Sequence, residues 1–196
     1  MTTQVVFFTG ILLSFAVHSS AQEAERLTPQ DIALIAVARA AVRNAVTGVS
    51  ATRTTDDLTH LPAQAVFVTI ERKGSVVGCR GTLHPHTASL VAEVMSAARS
   101  AATTDPRYRP LTSADLSQFL VTVTIIERLE PIDRVAARSI GPADGLALEA
   151  GGKIGVVLPW EGRDPATLLH WGYRKAGISE DTPCTLWRVV ARRFRG

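Results

Sequence analysis

The chain has 196 residues, 46% of them hydrophobic and 20% charged, enough for one ordinary core and too few to require two independent domains. Lys and Arg number 21 against 18 for Asp and Glu, a formal charge of +3. That narrow arginine excess, with no polybasic tract, argues against nucleic acid as a principal partner.

Met1 to Gln22 carry no Asp, Glu, Lys or Arg, and an apolar run from Val5 to Val17 leads into the small residues of HSSA. The pattern predicts a secretory signal peptide over residues 1–21, cut after Ala21, and a single domain over 22–196. The run is shorter than the ~20 residues that span a bilayer, and no later segment is apolar enough to do so. The n-region has no Lys or Arg, so the competing reading is a misassigned start or a short cytosolic extension. Export would make the protein secreted or periplasmic and would let Cys79 and Cys184 form a disulfide. The alternative is a cytoplasmic chain with free thiols.

The first element of the mature chain is a helix over TPQDIALIAVARAAVRNAV. Thr28 caps it, Pro29 suits its first turn and Asp31 lies near the positive end of its dipole, with Arg39, Arg43 and Asn44 on the face toward water. A polar loop, TGVSATRTTDDLTH, leads to AVFVTIE and, after RKGS, to VVGCRGT. β-Branched residues around a short glycine turn predict a hairpin, with Cys79 at or just off a strand end. TASLVAEVMSAARSA places Leu90, Val91, Val94, Ala98 and Ala101 on one stripe, with Glu93 and Arg99 outside it, which predicts a second amphipathic helix.

DPRYRP is a rigid, charged connection to a short helix opened by the Thr112 and Asp115 capping box. FLVTVTIIE follows as a strand buried on at least one face. GPADGLALEAGGKIGVVLPW holds two short strands about Gly151 and Gly152, and DPATLLHWGYRKAG is a helix opened by Asp164 and Pro165 and closed by Arg174, Lys175 and Gly177. TLWRVVARRFRG ends the chain as a strand bearing Arg188, Arg192, Arg193 and Arg195. Hairpins and helices without regular βαβ alternation predict an α+β fold, a largely antiparallel sheet flanked by helices.

Three of these segments, in this order, resemble the AMMECR1 domain family. VVGCRGT resembles its LRGCIGT signature, with Gly78, Cys79, Gly81 and Thr82 in matching places. AARSAATTDPRYRPLTSADLSQFLVTVTII is similar to its alanine-rich helix, D-x-R-F/Y-x-P motif, EL or DL segment and strand. GPADGLALEAGGKIGVVLPW with RKAG is similar to its G-x-x-G strand, LP and KAG helix end.

The likeness covers nearly all of the mature chain. It implies an α+β fold with an antiparallel sheet, a smaller subdomain, and a cleft between them onto which the cysteine motif faces. It implies no settled activity and no cofactor. Prokaryotic members are associated with a Memo-like protein and a radical SAM protein, the protein partners that the resemblance suggests. Two positions depart from the pattern: Val77 replaces the arginine ahead of Gly78 while Arg80 follows the cysteine, and Arg109 stands where proline is usual.

Cys79 carries the candidate chemistry. As a catalytic nucleophile it would gain from flanking glycines, which allow close backbone approach, and from a neighbouring guanidinium, which lowers a thiol pKa from its ordinary ~8.5. His84 or His86 would serve as base. As packing, it is a small hydrophobe on a tightly packed strand. Metal is the weakest reading, since Cys79, His84, His86, His170 and Cys184 include no C-x2-C or H-x3-H pair.

Arg107 and Arg109 present planar forks that suit carboxylate or phosphate, while Asp105 is expected to pair within the protein. The expected ligand surface is therefore Gly78, Arg80, Gly81, Thr82, Arg107 and Tyr108 around Cys79, taking a small anionic molecule or a peptide. The alternative to an enzyme is a non-catalytic binding module for a small molecule or a protein. Trp160, Trp171 and Trp187 beside the C-terminal arginines would suit base stacking, but basic residues on a solvated edge strand explain the pattern more simply.

Overall fold

Lys73 and Gly74 have φ angles of 51° and 77°, the left-handed pair that joins two antiparallel strands through a two-residue turn. The strands are β1 (Val66–Arg72) and β2 (Ser75–Gly81), the hairpin expected from the sequence. The computed structural model describes residues 27–49, 58, 60–162 and 164–196. The expected leader over 1–21 and most of the polar loop before the hairpin lie outside the described residues.

On its other side β1 pairs with β3 (Phe119–Ile132). Two further strands, β4 (Gly145–Ala150) and β5 (Lys153–Val157), turn about Gly151 and Gly152, at φ 57° and 75°. The last strand, β6 (Thr185–Arg195), inserts between β3 and β4. All pairings are antiparallel, in the order β2-β1-β3-β6-β4-β5, so the fold is α+β.

α1 (Pro29–Thr47) carries the Thr28 and Asp31 capping box and ends at Gly48; α2 (Leu90–Thr103) is capped by Ser89. Both pack on one face of the sheet, where Leu34, Val42, Val94 and Ala98 meet Val68, Ile70, Val121 and Val123. α3 is a single turn (Arg134–Ala137). α4 (Pro165–Ala176) closes a smaller cluster of Leu146, Leu148, Val157, Leu168, Tyr173 and Leu186. The opposite face of the sheet gathers Phe67, Ile126, Ala147, Leu158 and Val189. Alternate residues of β1 therefore enter two different cores, and its sequence reads as a nearly unbroken apolar run.

Each edge strand lies on a helix at a glycine. A Cβ on Gly78 of β2 would stand 2.1 Å from the Ala101 oxygen of α2, and one on Gly155 of β5 would stand 2.0 Å from the Gly172 oxygen of α4. A side chain at either place would push strand and helix apart.

Two expectations are corrected. β6 is interior rather than a solvated edge, and its arginines are used inside the protein: Arg188 pairs with Glu130, Arg192 with Asp31, Arg195 with Glu71, and Arg193 stacks 4.4 Å from the centre of the Trp160 ring. Glu93 is buried rather than outside the α2 stripe, because its carboxylate accepts the His86 and Thr87 N–H groups at 2.5 Å each. Burial pushes its pKa up, but those bonds prevail and hold it below the usual carboxylate range. Among the described residues no helix is long and apolar enough to cross a membrane.

Candidate functional site

Cys79 lies opposite Thr69 in the hairpin, on the outer strand, with its own N–H and C=O turned away from β1. The N–H donates to Asp105 Oδ2 at 2.8 Å and the carbonyl accepts from Arg107 Nη2 at 2.6 Å. Asp105 and Arg107 are themselves joined twice, Nε to Oδ1 at 3.0 Å and Nη2 to Oδ2 at 2.8 Å. The D-x-R pair thus stands in for a neighbouring strand and closes the edge of β2 at the cysteine. Burial pushes the Asp105 carboxyl up, but the bonds from Arg107 and the Cys79 N–H outweigh it and hold it below the usual range. The same pairing raises the Arg107 pKa further.

The Cys79 side chain stands on the face of the sheet away from α1 and α2. Its sulfur accepts a hydrogen bond from Thr69 Oγ1 at 3.2 Å, and the residue lines a cavity of about 600 Å³ in the curl of the sheet. Every strand contributes a wall residue: Phe67, Cys79, Leu129, Glu149, Val156 and Trp187, in chain order from β1 to β6. The two edges, β2 and β5, therefore face one space. Leu83 and Leu158 extend the apolar lining, and Arg80, Arg107, Lys175, Glu149 and Glu161 add charge.

The β5 edge is closed by a device like that on β2. Lys175 Nζ donates to the Val156 carbonyl at 2.8 Å and to Glu161 Oε2 at 2.5 Å, and that same oxygen accepts the Leu158 N–H at 3.1 Å. Cys79 feels both pairs. Burial pushes its thiol up; the Thr69 hydrogen bond and the charges of Lys175 and Arg107 pull it down, Glu161 pushes it up, and burial prevails. The thiol pKa is thus raised rather than lowered, because burial outweighs the pull of the Thr69 hydroxyl and of the two nearby cations.

Of the expected ligand-contacting residues, Arg80, Gly81, Thr82 and Arg107 line the cavity with Cys79. Gly78 turns toward α2, and Tyr108 lines an adjoining smaller space. Val77, where the register slips, packs against the α1 and α2 core, so Arg80 does not take its place. His84 lines the cavity and its carbonyl accepts from Thr82 Oγ1 at 2.8 Å, while His86 Nδ1 lies 3.3 Å from Glu93 Oε2. Among the described residues neither imidazole is hydrogen-bonded to the Cys79 sulfur.

Arg109 is no anion fork, since both its Nη atoms bond to Asp115, at 2.8 and 2.9 Å. Cys79 and Cys184 are free and lie in separate clusters. The sulfur of Cys184 stands 3.1 Å from Tyr173 Oη, and burial and that contact push the phenol up to about 12. Sequence reasoning missed Glu161 altogether and read Lys175 only as a helix-end cation. Their convergence on Cys79 comes from the curl of the sheet, which leaves no local pattern.

The AMMECR1 family model matches residues 35–196. A protein of Aeropyrum pernix is 36% identical over 147 residues, 67% of this chain and 61% of the relative, so the chain spans less than two thirds of that protein. One of Methanothermobacter thermautotrophicus is 34% identical over 161 residues, 76% of this chain and 82% of its own. The crystal structure of an uncharacterised protein from Pyrococcus horikoshii superposes with a TM-score of 0.73 at 27% identity, covering 83% of this chain and 89% of that one.

Proposed function

We propose a function for this chain, which belongs to the AMMECR1 family, from the cavity between its two sheet edges. The domain binds a small molecule with an apolar body and an anionic group. The body rests on Phe67, Leu129 and Trp187, and the anion is met at the rim by Arg80, an exposed edge-strand residue opposite Val68 that would reach the cavity around the edge of β2 and has no ion-pair partner among the described residues. The supporting observation is this combination: a concave, mostly apolar lining with one uncommitted cation and a few fixed polar groups, the usual composition of a small-molecule site.

Calorimetric titration of wild type and Arg80→Ala with a series of aryl and alkyl carboxylates tests it. Wild type should bind at least one, and loss of the cation should weaken that binding by roughly tenfold. Equal affinity for the matching neutral alcohols contradicts the reading.

Cysteine-dependent catalysis is the second reading, favoured by the Thr69 hydroxyl on the sulfur and by the thiol's place on the cavity wall. Here a bound ligand excludes water, Thr69 steadies the thiolate as it forms, and Cys79→Ser abolishes turnover with the fold intact. In the binding reading the same substitution leaves affinity nearly unchanged. Memo-like and radical SAM partners, and export directed by residues 1–21, are proposals on family association and on sequence pattern; amino-terminal sequencing of protein isolated from its host tests the leader.

A further inference from the structure

Four residues of the cavity wall, Cys79, Arg107, Glu161 and Lys175, also line a second chamber of about 250 Å³, whose other walls are Thr69, Val76, Tyr108 and Trp171. The two spaces therefore adjoin at the cysteine. Thr69 Oγ1, 3.2 Å from the sulfur, belongs to the smaller one.

The neck between them is charge-balanced. Arg107 is paired with Asp105 at 2.8 Å and Lys175 with Glu161 at 2.5 Å, so a free carboxylate arriving there meets little net positive charge and lies beside the Glu161 carboxylate. Hydrogen-bonding capacity is left over all the same. Arg107 uses Nε and Nη2 in its bonds to Asp105 and Cys79, leaving the two N–H groups of Nη1. Lys175 has one N–H beyond those given to Val156 and Glu161. Glu161 holds its bonds on Oε2, and Oε1 can accept. Two donors and an acceptor on residues that line both spaces complement a neutral amide, which brings one C=O and one N–H. Past the neck, Val76 and Trp171 leave 40% and 37% of their surface open, apolar area that an occupant of the chamber would cover.

We infer that the smaller chamber is a second subsite of the same site: it takes an apolar or aromatic acyl group, joined through a neutral amide at the Cys79 neck to the anionic, apolar part held in the larger cavity. The ligand class is an N-acylated amino acid or a compound of that pattern, with its carboxylate toward Arg80. This rests on the proposed reading of the larger cavity as a ligand site.

Two probes that differ only beyond the amide test it on the full chain: N-acetylphenylalanine and N-benzoylphenylalanine, titrated calorimetrically into wild type, Trp171→Ala and Val76→Glu. The benzoyl compound should bind wild type about tenfold more tightly than the acetyl compound, since only its ring reaches the second chamber. Both variants, each changed at an exposed position, should remove most of that advantage and leave acetyl binding unchanged. Equal affinity of the two probes for wild type, or variants that weaken both alike, overturns the second subsite while leaving the larger site standing. Failure of both probes to bind a chain that does bind one of the aryl or alkyl carboxylates overturns this inference alone, whereas failure of those carboxylates as well overturns the parent reading with it.

Discussion

Arg107 donates from Nη2 to the main-chain carbonyl of Cys79 at 2.6 Å, so the arginine of the D-x-R motif holds the cysteine's backbone rather than its sulfur. Asp105 completes the clamp by taking the Cys79 N–H. The two sequence motifs that carry the family resemblance are thus one structural unit: the loop seals the edge of β2, and the sealed strand presents the thiol to the cavity.

That unit sets an order of stabilities. Asp105→Ala strands the Cys79 N–H and frees Arg107, and should cost about 2–3 kcal/mol, whereas Arg107→Ala removes a half-exposed partner and should cost about 1–2 kcal/mol. Arg107→Lys should not restore the loss, because an ammonium cannot bridge carboxylate and carbonyl as a planar fork does. Urea unfolding of the three variants checks the order.

Gly78 predicts a packing defect rather than a binding defect. Gly78→Ala should destabilise by about 1–3 kcal/mol or more, since its Cβ meets the Ala101 oxygen at 2.1 Å. Gly155→Ala should behave alike at the other edge. Gly141, with nothing within 4 Å of a built Cβ, should accept alanine within about 0.5 kcal/mol. Thermal unfolding of the three separates close approach from mere loss of glycine.

Local elements were legible because their signals are local. The Thr28 and Asp31 box, the Gly151 and Gly152 turn, and the frame of Asp164, Pro165 and Gly177 around α4 are all found where the sequence puts them. The place of β6 was not legible. Its arginines read as a solvated edge, and only the tertiary fold supplies Glu130, Asp31, Glu71 and the Trp160 ring that let them sit on a central strand. The cysteine motif was found, and its flanking glycines divide: Gly78 meets α2, the tight packing that the sequence also allowed, while Gly81 lines the cavity. Glu161 and Lys175 meet Cys79 only because the sheet curls its two edges toward each other.

Acid should destabilise the fold through identifiable carboxylates. The pKa values of Asp31, Glu93 and Asp105 all lie below their ordinary values in the folded chain. Each contributes stability in full above the unfolded carboxylate value of about 4, and that contribution is lost as pH falls through the lower folded value. Urea midpoints measured from pH 6 downward should therefore drop below about pH 4, and Asp105→Asn should flatten part of that slope. An unchanged acid limb in the variant would remove Asp105 from the account.

The most direct measurement is the pH dependence of iodoacetamide labelling at Cys79, read by peptide mapping on native protein prepared without reductant. Burial raises this thiol's pKa, and its place on the cavity wall keeps it within reach. The folded protein should be labelled with a midpoint above the ~8.5 of an ordinary thiol. A midpoint well below that value, or no labelling until the chain unfolds, would contradict a protonated thiol lining an open site.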